Sequence, residues 1–196
     1  SWLSSNKWGD WREEDKWLWR LSTNHGSNGA LGDTGVHIFD FAVNAVGDIR
    51  EIFADLKTYY DKGDKIKDYT LDANDGFNSL VRFENGAIGT ISNSRYATGH
   101  ANSLILEVFC TKGALKVELD EERKKWSQLN ICVEENINKM LWETLECPKT
   151  NNNYQNFIKS IESNLIIQPD FFQGAKIQNI IDKCIESNKN GRWVNV

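Results

Sequence analysis

Two aspartates and a histidine stand close together in GSNGALGDTGVHIFD, residues 26–40: Asp33, His37 and Asp40. Asp33 and His37 are four residues apart, so on an α-helix their Cβ atoms lie about 5–6 Å apart on one face. A carboxylate hydrogen-bonded to one imidazole nitrogen fixes the tautomer and raises the basicity of the other. That suits a general base taking a proton from an alcohol near neutral pH. Two other readings share the spacing. Asp33 is a preferred N-cap residue, which would leave His37 a half-buried structural histidine. Asp33, His37 and Asp40, with His25, also form a set of imidazole and carboxylate ligands of the kind a metal takes.

Glycines at 26, 29, 32 and 35 lead into this cluster. A dinucleotide loop needs G-x-G-x-x-G after a strand, and a P-loop needs a terminal Gly-Lys-Ser/Thr; neither occurs here. The glycines instead allow a substrate to approach the backbone closely. No residue of the chain is assigned to cofactor binding or to a metal on motif grounds.

The pair needs a helix to hold it. Apolar residues at Val36, Phe39, Val43 and Val46 predict one over 33–47, started by Asp33 and closed by Gly47. Before it, residues 1–32 show no sustained period and read as an irregular arm with a helical turn near Glu13–Leu18. Five of the eight tryptophans fall in this arm, at Trp2, Trp8, Trp11, Trp17 and Trp19. Such rings suit anchoring the arm on a core better than stacking on sugars.

After Gly47 come short runs rich in Ile, Val, Phe, Tyr and Thr, at 48–60, 76–83, 87–94, 103–110, 114–119 and 127–133, which predict strands. Asn85-Gly86 and Thr111-Lys112-Gly113 mark hairpin turns. The period then returns to 3.6 at Tyr154, Phe157, Ile158, Ile161 and Leu165, and again from Phe172 to Ile185, ending at Gly191. The fold class is therefore α+β: a mainly antiparallel, open-faced sheet of about six strands with helices packed on one face. Its other face is left for a partner subunit.

At 196 residues with a net charge of -5, the chain reads as one domain without the basic footprint of a nucleic-acid binder. It shows no run long enough to span a membrane and no signal peptide, so a cytoplasmic location is expected. Cys110, Cys132, Cys147 and Cys184 form no CxxC pair and read as reduced thiols. The run Asp120–Lys125 reads as a solvated turn. The chain opens Ser-Trp-Leu without a Met, as a piece of something longer would.

GALGDTGVHIFDFAVNAVGDIREI resembles the segment that follows the nucleotide-binding half in the glucose-fructose oxidoreductase and inositol dehydrogenase family (Gfo/Idh/MocA). Gly29, Asp33, Gly35, His37, Asp40, Gly47 and Ile49 fit that pattern, and LVRFENGAIGTISNS, EVFCTKGAL and IESNKNGRWVNV continue the likeness. The resemblance is weakest over 120–150. It implies a substrate-binding and oligomerisation domain, inactive alone, whose Rossmann domain and catalytic lysine lie outside this chain. The whole protein would then be an NAD or NADP-dependent oxidoreductase of a sugar, polyol or related hydroxyl or ketone, assembled as a homodimer or tetramer through the open sheet.

By the same resemblance His37 matches the general base and Asp33 its carboxylate partner, while Asp40 is read as structural. Arg20, after Trp17-Leu18-Trp19, resembles the family's entry to the glycine loop and is a candidate substrate contact. Arg95 and His100 are further candidates, beside Asn93 and Tyr96 at a strand end. A non-catalytic sugar-binding or sensor module on the same scaffold is the alternative to an enzyme.

Overall fold

The computed structural model describes residues 15–59, 65–97, 100, 103–120 and 125–196. Trp2, Trp8, Trp11 and the segment 121–124 of the expected solvated turn lie outside the described residues.

The arm shows one short helix, α1 (Asp15–Leu18), followed by 3-10 turns at Trp19–Leu21 and Thr23–His25. Leu18 and Leu21 bury themselves with Leu71, against Ile66, Tyr69 and Tyr96. Ile66 and Tyr69 come from a small ribbon of β2 (Lys65–Ile66) and β3 (Tyr69–Thr70). The arm is thus held at its end by leucines.

The central helix starts earlier than the sequence pattern predicts. Residues 29–30 are already helical, Leu31–Gly35 form a π-helical turn, and α2 continues over Val36–Val46. Gly47, at φ +127°, ends it by returning its N–H to the Val43 carbonyl at 2.9 Å. Asp33 therefore lies inside the helical segment, not at its N-cap.

The strands β1 (Ile49–Lys57), β4 (Gly76–Phe83) and β5 (Ile88–Ser94) pair antiparallel, with the two-residue β10 (Val194–Asn195) beyond β1. Alternate positions Phe77, Ser79, Val81 and Phe83 of β4 are buried, and their register neighbours Ile52, Ala54 and Ile91 join them. This alternation is what a sheet covered on one face demands. The cover is α2 together with α5 (Phe171–Asn190), through Phe39, Ala42, Val43, Ile177, Ile180, Ile181 and Cys184. Phe39 stacks on Phe77 with ring centroids 5.6 Å apart. Where β10 is too short to pair with all of β1, α5 takes over: Ala54 N–H donates to Ser187 Oγ at 3.0 Å and Leu56 N–H to Asn188 Oδ1 at 2.8 Å.

A second antiparallel sheet runs β6 (Ser103–Cys110), β7 (Gly113–Asp120), β8 (Lys125–Val133) and β9 (Glu143–Leu145), with α3 (Glu135–Lys139) between the last two. All six expected strands form, in an α+β arrangement, but they are divided between two four-stranded sheets. The division falls after β5, where Arg95 gives its backbone N–H to the Asp75 carbonyl instead of to a further strand. α4 (Asn153–Ser163) carries the expected apolar stripe and an Asn152–Gln155 capping box, yet none of its residues is buried. Among the described residues no helix is long and apolar enough to cross a membrane.

Candidate active site

The glycine loop uses its backbone donors on the protein itself. Gly29 N–H donates to Ser27 Oγ at 3.0 Å, Ala30 N–H to the Asn74 carbonyl at 2.8 Å, Leu31 N–H to Asn74 Oδ1 at 3.0 Å and Gly32 N–H to the Asn28 carbonyl at 3.1 Å. The Asn74 amide completes the clasp by donating to the Asn28 carbonyl at 2.7 Å. A helix start satisfied in this way offers no cradle to a phosphate.

The π turn widens the helix by one residue between Ala30 and Val36, and the Ala30 carbonyl there accepts from Thr34 Oγ1 at 3.1 Å and from Asn93 Nδ2 at 3.5 Å. Asn93, at the end of β5, also donates to the Thr34 hydroxyl. This insertion alters the relation between Asp33 and His37 that an uninterrupted α-helix would impose. The expected carboxylate–imidazole hydrogen bond is not formed. Instead Asp33 Oδ1 accepts from Arg20 Nη1, and Asp33 Oδ2 accepts from Arg95 Nη2 at 3.2 Å.

Arg20 lies over the rings of both Trp17 and Trp19, with its guanidinium carbon 5.1 Å from each centroid. It remains partly open to solvent, as does Asp33. Arg95 is different: only 1% of its side chain is exposed. Its Nη1 reaches the Arg20 carbonyl at 3.5 Å, and the buried carboxylate of Asp75 adds its field. Burial pulls the Arg95 guanidinium below its ordinary value, and Asp33 and Asp75 pull it back. Burial pushes the Asp75 carboxyl up, against the opposing pull of the Tyr59 N–H, 2.9 Å from Oδ2, and of Arg95. Arg95, expected as a substrate contact, is thus placed behind the site, because its charge is used inside the protein.

His37 is exposed on α2 and makes no hydrogen bond among the described residues. It borders an open, mainly apolar cavity of about 780 Å³ between α2, α4 and the start of α5, together with Val36, Asp40, Phe157, Phe171 and Gln173. Arg20, Asp33 and Arg95 do not line it. Asp40 Oδ1 accepts from Asn44 Nδ2 at 3.0 Å and from Gln173 Nε2 at 2.8 Å, so it ties α2 to α5, as a structural aspartate would.

His25 is drawn elsewhere, with Nδ1 3.0 Å from Ser22 Oγ and its ring 4.2 Å from that of Tyr69. The metal set of Asp33, His37, Asp40 and His25 does not assemble: among the described residues no three His, Cys, Asp or Glu side chains converge in a way that would hold an ion. His100 stands exposed beyond β5, its backbone N–H on the Ala97 carbonyl at 3.0 Å.

Of the candidates read from the sequence, the structure joins Arg20, Asp33 and Arg95 and leaves His37 and His100 outside that cluster. The sequence reading passed over Asn74 and Asp75, which hold the helix start and back Arg95. Their signal is the polar run Asp72-Ala-Asn-Asp-Gly just before β4, which also supplies Asp72 to the Thr23 N–H and hydroxyl at 2.8 and 2.7 Å.

A family model described as GFO/IDH/MocA C-terminal domain matches residues 3–116. The levoglucosan dehydrogenase of Pseudarthrobacter phenanthrenivorans is 23% identical over 214 residues, covering 91% of this chain and 54% of that protein. A solved structure of levoglucosan dehydrogenase in complex with NADH and levoglucosan superimposes with a TM-score of 0.77 at 24% identity, over 92% of this chain and 53% of the other. An NAD binding oxidoreductase from Klebsiella pneumoniae gives a TM-score of 0.73 at 25% identity, over 91% and 53%. The chain spans about half the length of the relatives it matches.

Proposed function

Since the chain belongs to the GFO/IDH/MocA C-terminal domain family, we propose that it is the substrate-binding and oligomerisation part of an NAD(P)-dependent oxidoreductase acting on a sugar or polyol. The observation that carries this reading is an exposed histidine, His37, held on a rigid helix immediately beyond a glycine-rich loop and an arginine–aspartate cluster. His37 takes the proton of the substrate hydroxyl as that carbon is oxidised to a carbonyl. Arg20 meets the oxygens of the substrate, and Asp33 fixes where Arg20 stands.

The cofactor, NAD or NADP, supplies the hydride acceptor when bound. The glycine loop's satisfied N–H groups leave its phosphates to be held outside this chain, by a cofactor-binding half. On this reading the chain alone is inactive, and the sheet face turned away from α2 and α5 is the contact between subunits. A sugar is favoured over a charged substrate by the relative that is a levoglucosan dehydrogenase, and levoglucosan is the first compound to try.

The test joins this chain to its cofactor-binding half and follows NAD(P)H formation with levoglucosan and a panel of sugars and polyols. His37→Ala is expected to lower turnover about 100-fold or more, the loss typical of a missing general base. Unchanged turnover would remove His37 from the mechanism. Sugar binding by this chain alone, seen by calorimetry, with no turnover in the joined protein, would replace the enzyme with a sugar-binding module.

A further inference from the structure

We propose that Arg95 is a positioning residue that makes Asp33 the holder of Arg20, not of His37. The inference rests on the oxidoreductase reading only for what Arg20 and His37 meet in the whole protein; the arrangement of charges stands without it.

Four charges of alternating sign run inward from the surface: Arg20, Asp33, Arg95 and Asp75. The inner two are each about 1% exposed. An arginine cannot shed its charge at ordinary pH, so a buried guanidinium is tolerated only where carboxylates compensate it. Asp33 and Asp75 provide that compensation from two sides. Arg95 in turn constrains both ends of the outer pair, since Nη2 holds the Asp33 carboxylate at 3.2 Å and Nη1 reaches the Arg20 carbonyl at 3.5 Å. Its own backbone is pinned by its N–H to the Asp75 carbonyl at 2.8 Å. A planar fork with fixed donors can make this double contact; a lysine, a point charge on a flexible stem, cannot.

The backbone agrees with the side chains. Asp33 sits in the π turn and His37 in the α-helix beyond it, with Thr34 and Asn93 bracing the wide turn. Asp33 therefore faces the arm and β5, while His37 faces the cavity beside α4. The two roles that a four-residue spacing would have fused are separated: Asp33 sets the place of Arg20 against Trp17 and Trp19, and His37 stands on its own wall.

The test is side-chain NMR of the whole chain with ¹⁵N-labelled arginine, reading exchange with solvent of the Arg20 Nη1–H that donates to Asp33, and thermal melting as a check on folding. Arg95→Lys keeps the charge and loses the fork. It is expected to speed Arg20 exchange by about tenfold or more, the equivalent of losing one hydrogen bond to a charged group. Asp33→Asn, at a partly exposed position, is expected to do the same, while His37→Ala leaves Arg20 within about twofold of wild type. In Asp33→Asn the ring signals of His37 should stay where they are in the wild type.

Arg20 exchange that is unchanged in a folded Arg95→Lys chain overturns the proposal. So does an unchanged Arg20 in Asp33→Asn, whatever becomes of Arg95→Lys, and so does displacement of the His37 ring signals by Asp33→Asn. None of these outcomes touches the oxidoreductase reading, which stands or falls on turnover by the joined protein.

Discussion

At the scale of single residues, the site depends on one glycine for a steric reason and on another for a milder one. Gly29 has φ +63°, and a Cβ there would stand 2.3 Å from the Asn74 carbonyl oxygen. Asn74 cannot retreat without releasing the Ala30 and Leu31 N–H groups that it caps. Gly26 has φ +84° but open space around it. Gly26→Ala should therefore cost only the backbone strain of a left-handed residue, about 1–2 kcal/mol. Gly29→Ala should cost that and the loss of the clasp, about 3 kcal/mol or more in total. Urea unfolding of the two variants checks the order, and equal losses would mean that Asn74 does not hold the helix start. The pattern of glycines in the sequence is thus meaningful, but for closeness of backbone to backbone and not for phosphate.

At the scale of elements, hydrophobic period located what tertiary packing then used. The 3.6-residue stripe of α5 buries Ile177, Ile180, Ile181 and Cys184, and the alternation in β4 is buried as expected. What the sequence hid was of two kinds. The π turn adds a residue without disturbing the apolar stripe, so the four-residue spacing of Asp33 and His37 implied a contact that the backbone does not make. The stripe of α4 is also real, yet it stays exposed, because period reports that a face is apolar and not that anything covers it. Asn74 and Asp75 were illegible for a related reason: polar letters before a strand read as a turn, and only the fold brings them under Gly29 and Arg95. The docking of α5 can be tested through its cysteine. Burial pushes the Cys184 thiol up to about 12, whereas Cys110 and Cys147 are exposed. A thiol-specific disulfide reagent at mildly alkaline pH should modify Cys110 and Cys147 readily and Cys184 only as denaturant releases α5. Rapid modification of Cys184 in the native chain, located by peptide mapping, would mean that α5 is not held against the sheet.

At the scale of the whole molecule, the first sheet has one face under α2 and α5 and the other open. The open face carries Leu80 at 48% exposure and Ile88 at 82%, beside Phe53, and among them Glu51, Arg82, Thr90 and Ser92. Glu51 and Arg82 pair at 3.0 Å, and Arg82 also lies over the Trp193 ring at 4.2 Å, so the charged groups of this face are largely arranged among themselves. Exposed apolar residues mixed with internally satisfied polar ones are the usual make-up of a subunit contact. Strands joined by a full ladder also present that surface without an ordering cost on association. The proposed homo-oligomer should therefore form through this face even in the chain alone. Light scattering should then give at least twice the chain's 22.5 kDa. Replacing Leu80 and Ile88 together by Glu should return the mass to that of one chain, since two like carboxylates would meet their copies across an isologous contact. Phe157→Glu, on the equally exposed but separate face of α4, should leave the mass unchanged. A wild-type chain that stays single at high concentration, or one freed by Phe157→Glu and not by the sheet variant, would move the subunit contact off the open sheet.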